Sequence, residues 1–172
     1  MNNINSKLIR SLTVRVIRIN IIKNIAMKER INVQQLEPNS YKAMIGLENY
    51  LHSSGLSRLL IELIKIRASQ INGCAYCLDM HTKDAMANGE EPRRLFAISA
   101  WWESPLFNEK ERAALKMTDE ITRISEQGLS DEAYTLAKEN FTDNEIAQII
   151  IAIGVINVWN RIAVATHMVF EG

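Results

Sequence analysis

The stretch from Asp143 to about Val169 constrains the fold more than any other part of this 172-residue chain. Thr142 with Glu145 spells a capping box at its start. Beyond it, Ile149, Ile150, Ile151, Ile153, Val155, Ile156 and Val158 leave a helix with hardly any polar side. Such a helix is normally buried centrally or used between subunits. It needs other helices around it, and the chain supplies them. From Glu37 onward the apolar spacing is helical, with no convincing pair of strands.

Punctuation divides the body into segments. Pro38 suits a first helical turn, and Tyr41, Met44, Ile45, Leu47 and Leu51 recur at helical spacing until Ser53-Ser54-Gly55. Ser57 can cap a second helix that runs through Arg67 or beyond and breaks at Asn72-Gly73. A third spans about Cys74 to Asn88 and is closed by Gly89. Pro92 opens a shorter segment that ends near Ser104-Pro105. Asn108 with Glu111 starts a long amphipathic stretch, Glu109 to Glu126, ended by Gly128, and Ser130 caps a short helix to about Asn140. The expectation is an all-α bundle of about six or seven helices, with no internal repeat.

Charge separates the first residues from the rest. Lys7, Arg10, Arg15, Arg18 and Lys23 stand among residues 1–26 without an acid, although the whole chain balances 20 basic against 20 acidic residues. The remainder is therefore mildly acidic, and no basic surplus marks a nucleic-acid binder. An acid-poor, Arg-bearing leader fits an organellar transit peptide, a flexible extension or a start codon placed too early; MKERINVQQLEP from Met27 reads as a normal domain entrance. Residues 1–26 are expected to lie outside the fold and residues 27–172 to form one domain. The longest uncharged apolar run, Ile149 to Ile156, falls short of the roughly 18 residues a membrane-spanning helix needs. A cytoplasmic protein is expected, with the leader leaving organellar targeting open.

The two cysteines sit together in Cys74-Ala75-Tyr76-Cys77. One such pair is not a disulfide scaffold. It reads as a redox dithiol, as part of a metal site, or as two inert buried residues. The setting favours the dithiol, because the break at Asn72-Gly73 puts Cys74 at a helix N-terminus, where free N–H groups stabilise a thiolate. His81 lies one turn after Cys77 on the same face and can take and return a proton. Glu62 interrupts Leu59-Leu60-Ile61 and Leu63-Ile64, where a carboxylate seeks a donor such as an imidazole. Its other reading is a solvent-facing acid beside Arg58, Lys65 and Ser69. Cys74, Cys77 and His81 also share a face as three candidate metal ligands, but a structural zinc site needs four. His52, followed by Ser53-Ser54-Gly55, reads as a plain surface histidine.

The segment ELIKIRASQINGCAYCLDMHTKD, Glu62 to Asp84, resembles the core motif of the carboxymuconolactone decarboxylase-like superfamily, in its alkylhydroperoxidase D branch. The motif is a Glu, a CxxC twelve residues on, and a His four residues past the second Cys; Glu62, Cys74, Cys77 and His81 match it. A weaker likeness extends from Met27 to about Met168. The resemblance implies an all-α protein assembled into trimers or hexamers that reduces hydroperoxides. Cys77 would be the peroxidatic thiol, Cys74 the partner that closes the disulfide, and Glu62 and His81 the proton relay. No bound cofactor or metal is required. An external dithiol, a lipoyl group or a thioredoxin-like protein, would restore the pair. Tyr76 departs from the His that well-studied members carry between the cysteines, and a phenol is a poor base near neutral pH. The CxxC argues against the decarboxylase activity of the superfamily, which does not need one. A non-catalytic binding or regulatory protein of the same fold, or a general disulfide oxidoreductase, is the rival reading.

Polar residues also enter the last helix. Asn157, Asn160 and Arg161 share one side, with His167 roughly continuing it. Buried polar groups need partners; these could line the dithiol pocket, but a structural network or a subunit interface is expected there. Trp101-Trp102 is expected to serve packing.

Overall fold

The computed structural model describes residues 28–170, which leaves the basic leader outside the described residues. Helices α1 (Val33–Leu36) and α2 (Pro38–His52) lead into the central pair α3 (Arg58–Asn72) and α4 (Ala75–Ala87). Helix α5 (Pro92–Ala97) continues as one 3-10 turn, Ile98–Ala100. Then follow α6 (Glu109–Thr122), α7 (Ile124–Gln127), α8 (Asp131–Asn140) and α9 (Asp143–Thr166). Among the described residues there is no strand, and the expected all-α bundle is what forms.

The capping residues stand where they were read. Ser57 accepts from the Leu60 N–H, Ser130 from Ala133, and Asn108 with Glu111 and Thr142 with Glu145 both close reciprocal boxes. Each satisfies N–H groups that a helix start leaves without a partner. Several boundaries differ: α1 precedes the expected start at Glu37, and the Pro92 segment leaves the helix at Ala97 and its 3-10 turn at Ala100, short of Ser104. The stretch expected to reach Glu126 breaks at Arg123, whose φ of −106° and ψ of 39° leave the helical region, and α7 finishes the turn. Helix α9 stops at Thr166 rather than near Val169, because His167 turns left-handed and the Met168 N–H closes back on the Ala163 carbonyl.

Helix α3 is the axle. It packs against α4, α6 and α9, and α2 lies against both α3 and α9. Leu63, Ile64 and Ile66 of α3 are wholly buried, as are Leu115 and Met117 of α6 and Ile149, Ile153 and Ile156 of α9. Each such side chain contributes roughly 1.5–3 kcal/mol relative to exposure. By length and mean hydropathy of 1.8, α9 is apolar enough to cross a membrane, which counting an unbroken apolar run missed because Asn157 ends the series that began at Ile149. Packing on α3, α6 and α2 covers one side of it and leaves Ile150 and Val158 exposed. The same centrality corrects the solvent-facing reading of α3: Glu62, Lys65 and Ser69 are all buried, and Arg58 alone of that group is exposed.

Candidate active site

The turn between α3 and α4 carries both cysteines. Gly73 takes φ +66°, a left-handed conformation that a side chain resists, and its N–H closes on the carbonyls of Ser69 and Gln70. The next N–H, from Cys74, bonds the Ser69 carbonyl at 3.0 Å. Cys74 is thus the N-cap of α4, and its Sγ accepts from the Cys77 N–H at 3.3 Å. The two sulfurs are bonded to each other, across a Cα–Cα distance of 5.4 Å. In this oxidised state neither sulfur is available as a metal ligand. Both cysteines are buried, at 1% and 2% exposure.

Polar residues of α9 pin this turn from behind. The Asn72 amide donates to Asn157 Oδ1 at 3.0 Å and to Asn160 Oδ1 at 2.9 Å, and the Asn160 amide donates to Ser69 Oγ at 3.0 Å. Arg161 donates in turn to Asn157. The expected network therefore lies within one chain, holding the end of α3 that delivers Cys74. His167 serves as the left-handed C-cap of α9.

Glu62 and His81 face each other across the α3–α4 contact. His81 Nδ1 lies 2.8 Å from Glu62 Oε2, with both side chains buried. One carboxylate oxygen orienting an imidazole leaves Nε2 as the ring's other proton site. Cys77, Glu62 and His81 line one cavity of about 250 Å³. Its apolar wall includes Ile45, Met80, Ala163 and Met168, with Tyr41 set edge-on to Trp159 at 5.0 Å. Tyr76 lines it too, its ring edge-on to Phe170.

Several lining residues escaped the sequence reading. Lys65 is buried and paired with Glu48 at 2.6 Å, and Glu48 also accepts the Trp159 indole N–H at 2.9 Å. Lys65 lies one turn after Glu62, a spacing that was there to be read; Glu48 and Trp159 come from remote helices and gave no local signal. His52, expected as a plain surface residue, is exposed but lines the same cavity. Asp84, three residues after His81, brings its carboxylate within 4.8 Å of the Glu62 and His81 ligand atoms. Of the pair expected to serve packing, Trp101 is buried and donates to Asp119 at 3.1 Å, an acid that also holds Arg67, whereas Trp102 is half exposed.

The family model for the carboxymuconolactone decarboxylase family matches residues 38–120, which include all four motif residues. The uncharacterised protein YdfG of Bacillus subtilis is 38% identical over 139 residues, covering 81% of this chain and 95% of that one. The chain belongs to the carboxymuconolactone decarboxylase family. Within it, the chain falls in the AhpD-like branch: a crystal structure from Agrobacterium tumefaciens, of unknown function and a candidate AhpD antioxidant defence protein, is 46% identical with a TM-score of 0.82. That match covers 84% of this chain and 99% of the other. The debrominase Bmp8 shares the fold, at 21% identity and a TM-score of 0.73 over 81% of this chain and 75% of its own. Enzymes of more than one chemistry thus use this bundle.

Proposed function

We propose that the protein is a thiol peroxidase that reduces hydroperoxides through Cys77 and Cys74 and serves antioxidant defence. The observation that carries this reading is the buried Glu62–His81 pair opening on the same cavity as Cys77, at the closed end of an α3–α4 turn that holds the two sulfurs in bonding distance. In the reduced protein the Cys77 thiolate attacks the distal oxygen of the substrate's O–O bond. The electron pair of that bond leaves on the proximal oxygen, which His81 protonates to give the alcohol, and Glu62 holds the imidazole for that transfer. Cys77 is left as a sulfenic acid. Cys74 attacks its sulfur, water departs, and the disulfide closes. An external dithiol returns the pair to the thiol state and is itself oxidised to a disulfide. The apolar, aromatic wall suits an organic hydroperoxide, and Tyr76 serves that wall rather than a second proton relay.

The same reading places the protein in the cytoplasm, where dithiol reductants keep such a pair cycling, as a homo-oligomer. The test is a thiol titration of the reduced protein with stoichiometric cumene hydroperoxide. Both thiols should be consumed, and Cys77→Ser should abolish the loss. Thiols that survive hydroperoxide but are oxidised by a small disulfide would replace the peroxidase with a general disulfide oxidoreductase. Thiols inert to both would leave a non-catalytic binding protein.

A further inference from the structure

The disulfide is approached from two separate sides. Cys77 lines the cavity that contains Glu62 and His81, whereas Cys74 lines a second cavity of about 160 Å³. Gly73, Ala75, Val164 and His167 bound the second cavity and take no part in the first. Tyr76, Ala163 and Met168 belong to both walls and stand as the partition between them. The proton-handling pair faces only the Cys77 side.

We propose that the second cavity is the port of the reducing dithiol, which attacks Sγ of Cys74 while the hydroperoxide is confined to the Cys77 side. This rests on the thiol-peroxidase reading and adds a binding site for its second substrate. Which sulfur of a disulfide is attacked follows access as well as thiol chemistry. The reductant's thiolate forms a bond to Cys74 Sγ, and the Cys74–Cys77 bond breaks with its electron pair on Cys77. That thiolate is born beside His81, the group able to supply its proton. The reductant's second thiol then attacks its own sulfur in the mixed disulfide. Cys74 is released as a thiolate, accepting the Cys77 N–H, and the reductant leaves as an intramolecular disulfide. Two electrons have passed to the protein; of the dithiol's two protons, one replaces the proton His81 gives to Cys77 and the other goes to solvent, leaving Cys74 as the thiolate.

The cavity also describes the reductant. Cys74 is only 1% exposed, so its sulfur lies beyond the reach of a flat protein surface. Gly73, Ala75, Ala163, Val164 and Met168 make most of its wall apolar; Tyr76 and His167 are its polar side chains, and no carboxylate, lysine or arginine lines it. A slender, uncharged aliphatic chain ending in two thiols fits that description. Tyr76, braced by Phe170, gains a purpose as the septum that keeps reductant and peroxide apart.

The experiment compares the half-reactions in two variants, with dithiothreitol as the reductant and cumene hydroperoxide as the oxidant. Val164→Phe narrows the Cys74 port alone. Reduction of its disulfide should slow about tenfold, while oxidation of the prereduced protein stays within about twofold of wild type. Ile45→Phe, on the other cavity, should do the reverse. A Val164→Phe variant that slows both half-reactions equally, or neither, overturns the proposal, as does an Ile45→Phe variant that slows reduction. Oxidised protein exposed to 2-mercaptoethanol and quenched with acid should carry the mixed disulfide on Cys74; finding it on Cys77 overturns the port. A wild-type protein that ignores hydroperoxide sinks the peroxidase reading alone, since the reduction arm and the adduct map still decide where a dithiol enters.

Discussion

A carboxylate and an imidazole that are both withdrawn from water stabilise each other only through close contact, and Glu62 and His81 have it at 2.8 Å. Replacing Glu62 by Gln keeps the shape and an acceptor oxygen but replaces the carboxylate that orients the imidazole with a neutral amide. The rate of thiol oxidation by hydroperoxide should fall about a hundredfold, within the range that a positioned acid or base supplies. Far-ultraviolet circular dichroism should be unchanged, since α3 and α4 keep their apolar contacts. A rate within a few-fold of wild type would remove Glu62 from the chemistry. These residues were legible in the sequence because their spacing was local: Glu62 broke an apolar run, and His81 lay one turn from Cys77. Glu48 and Trp159 were not legible, because what brings them to the cavity is the packing of α2 and α9 around α3.

At the level of the element, the turn that delivers Cys74 depends on backbone conformation rather than space. A Cβ added at Gly73 would meet nothing within 4 Å, yet φ is +66°. Gly46, inside α2, is equally open and has ordinary helical geometry. Gly73→Ala should therefore destabilise by about 1–2 kcal/mol, whereas Gly46→Ala should stabilise by about 0.5–1 kcal/mol. Urea midpoints moving in the same direction for both would contradict the account. Glu120 of α6 offers a pH test. Burial pushes its carboxyl up, but the Ser130 N–H and hydroxyl and the Lys116 ammonium more than offset this and hold it below the ordinary carboxylate range. A group depressed on folding stabilises the native state above its unfolded pKa, and that contribution is lost as pH falls through the lower, folded value. Glu120→Gln should cost about 1–2 kcal/mol at neutral pH, and its stability curve should converge on wild type in acid. A constant gap across the acid limb would mean the carboxylate charge contributes nothing. Element positions were readable because caps and breakers act over three or four residues, as at Ser57, Asn108 and Thr142. Their termini were less so: Arg123 and His167 leave the helix through backbone angles that no side-chain pattern announced.

For the whole molecule, the question is what covers the rest of α9. One side is the core, but Ile150 and Val158 are each 42% exposed, and Gly154 between them adds a flat step on the same face. The sequence reading allowed burial or an interface for this helix; within one chain the burial covers only part of it. Exposed apolar residues in register along a helix mark a surface that associates, and a second copy of the same face is the partner that requires no other component. Sedimentation equilibrium should therefore show a homo-oligomer, and the double variant Ile150→Glu, Val158→Glu should dissociate it by setting like charges against each other. Glu62 pairs with His81, and Cys74 bonds Cys77, within a single subunit, so the dissociated variant should still react with hydroperoxide within about threefold of wild type, because the positioned acid–base pair travels with each subunit. A wild-type protein that sediments as a monomer would show that this face is left to solvent. A dissociated variant with no activity would show instead that association completes the site, by pressing on the α9 residues that wall the cavity, Trp159 and Ala163.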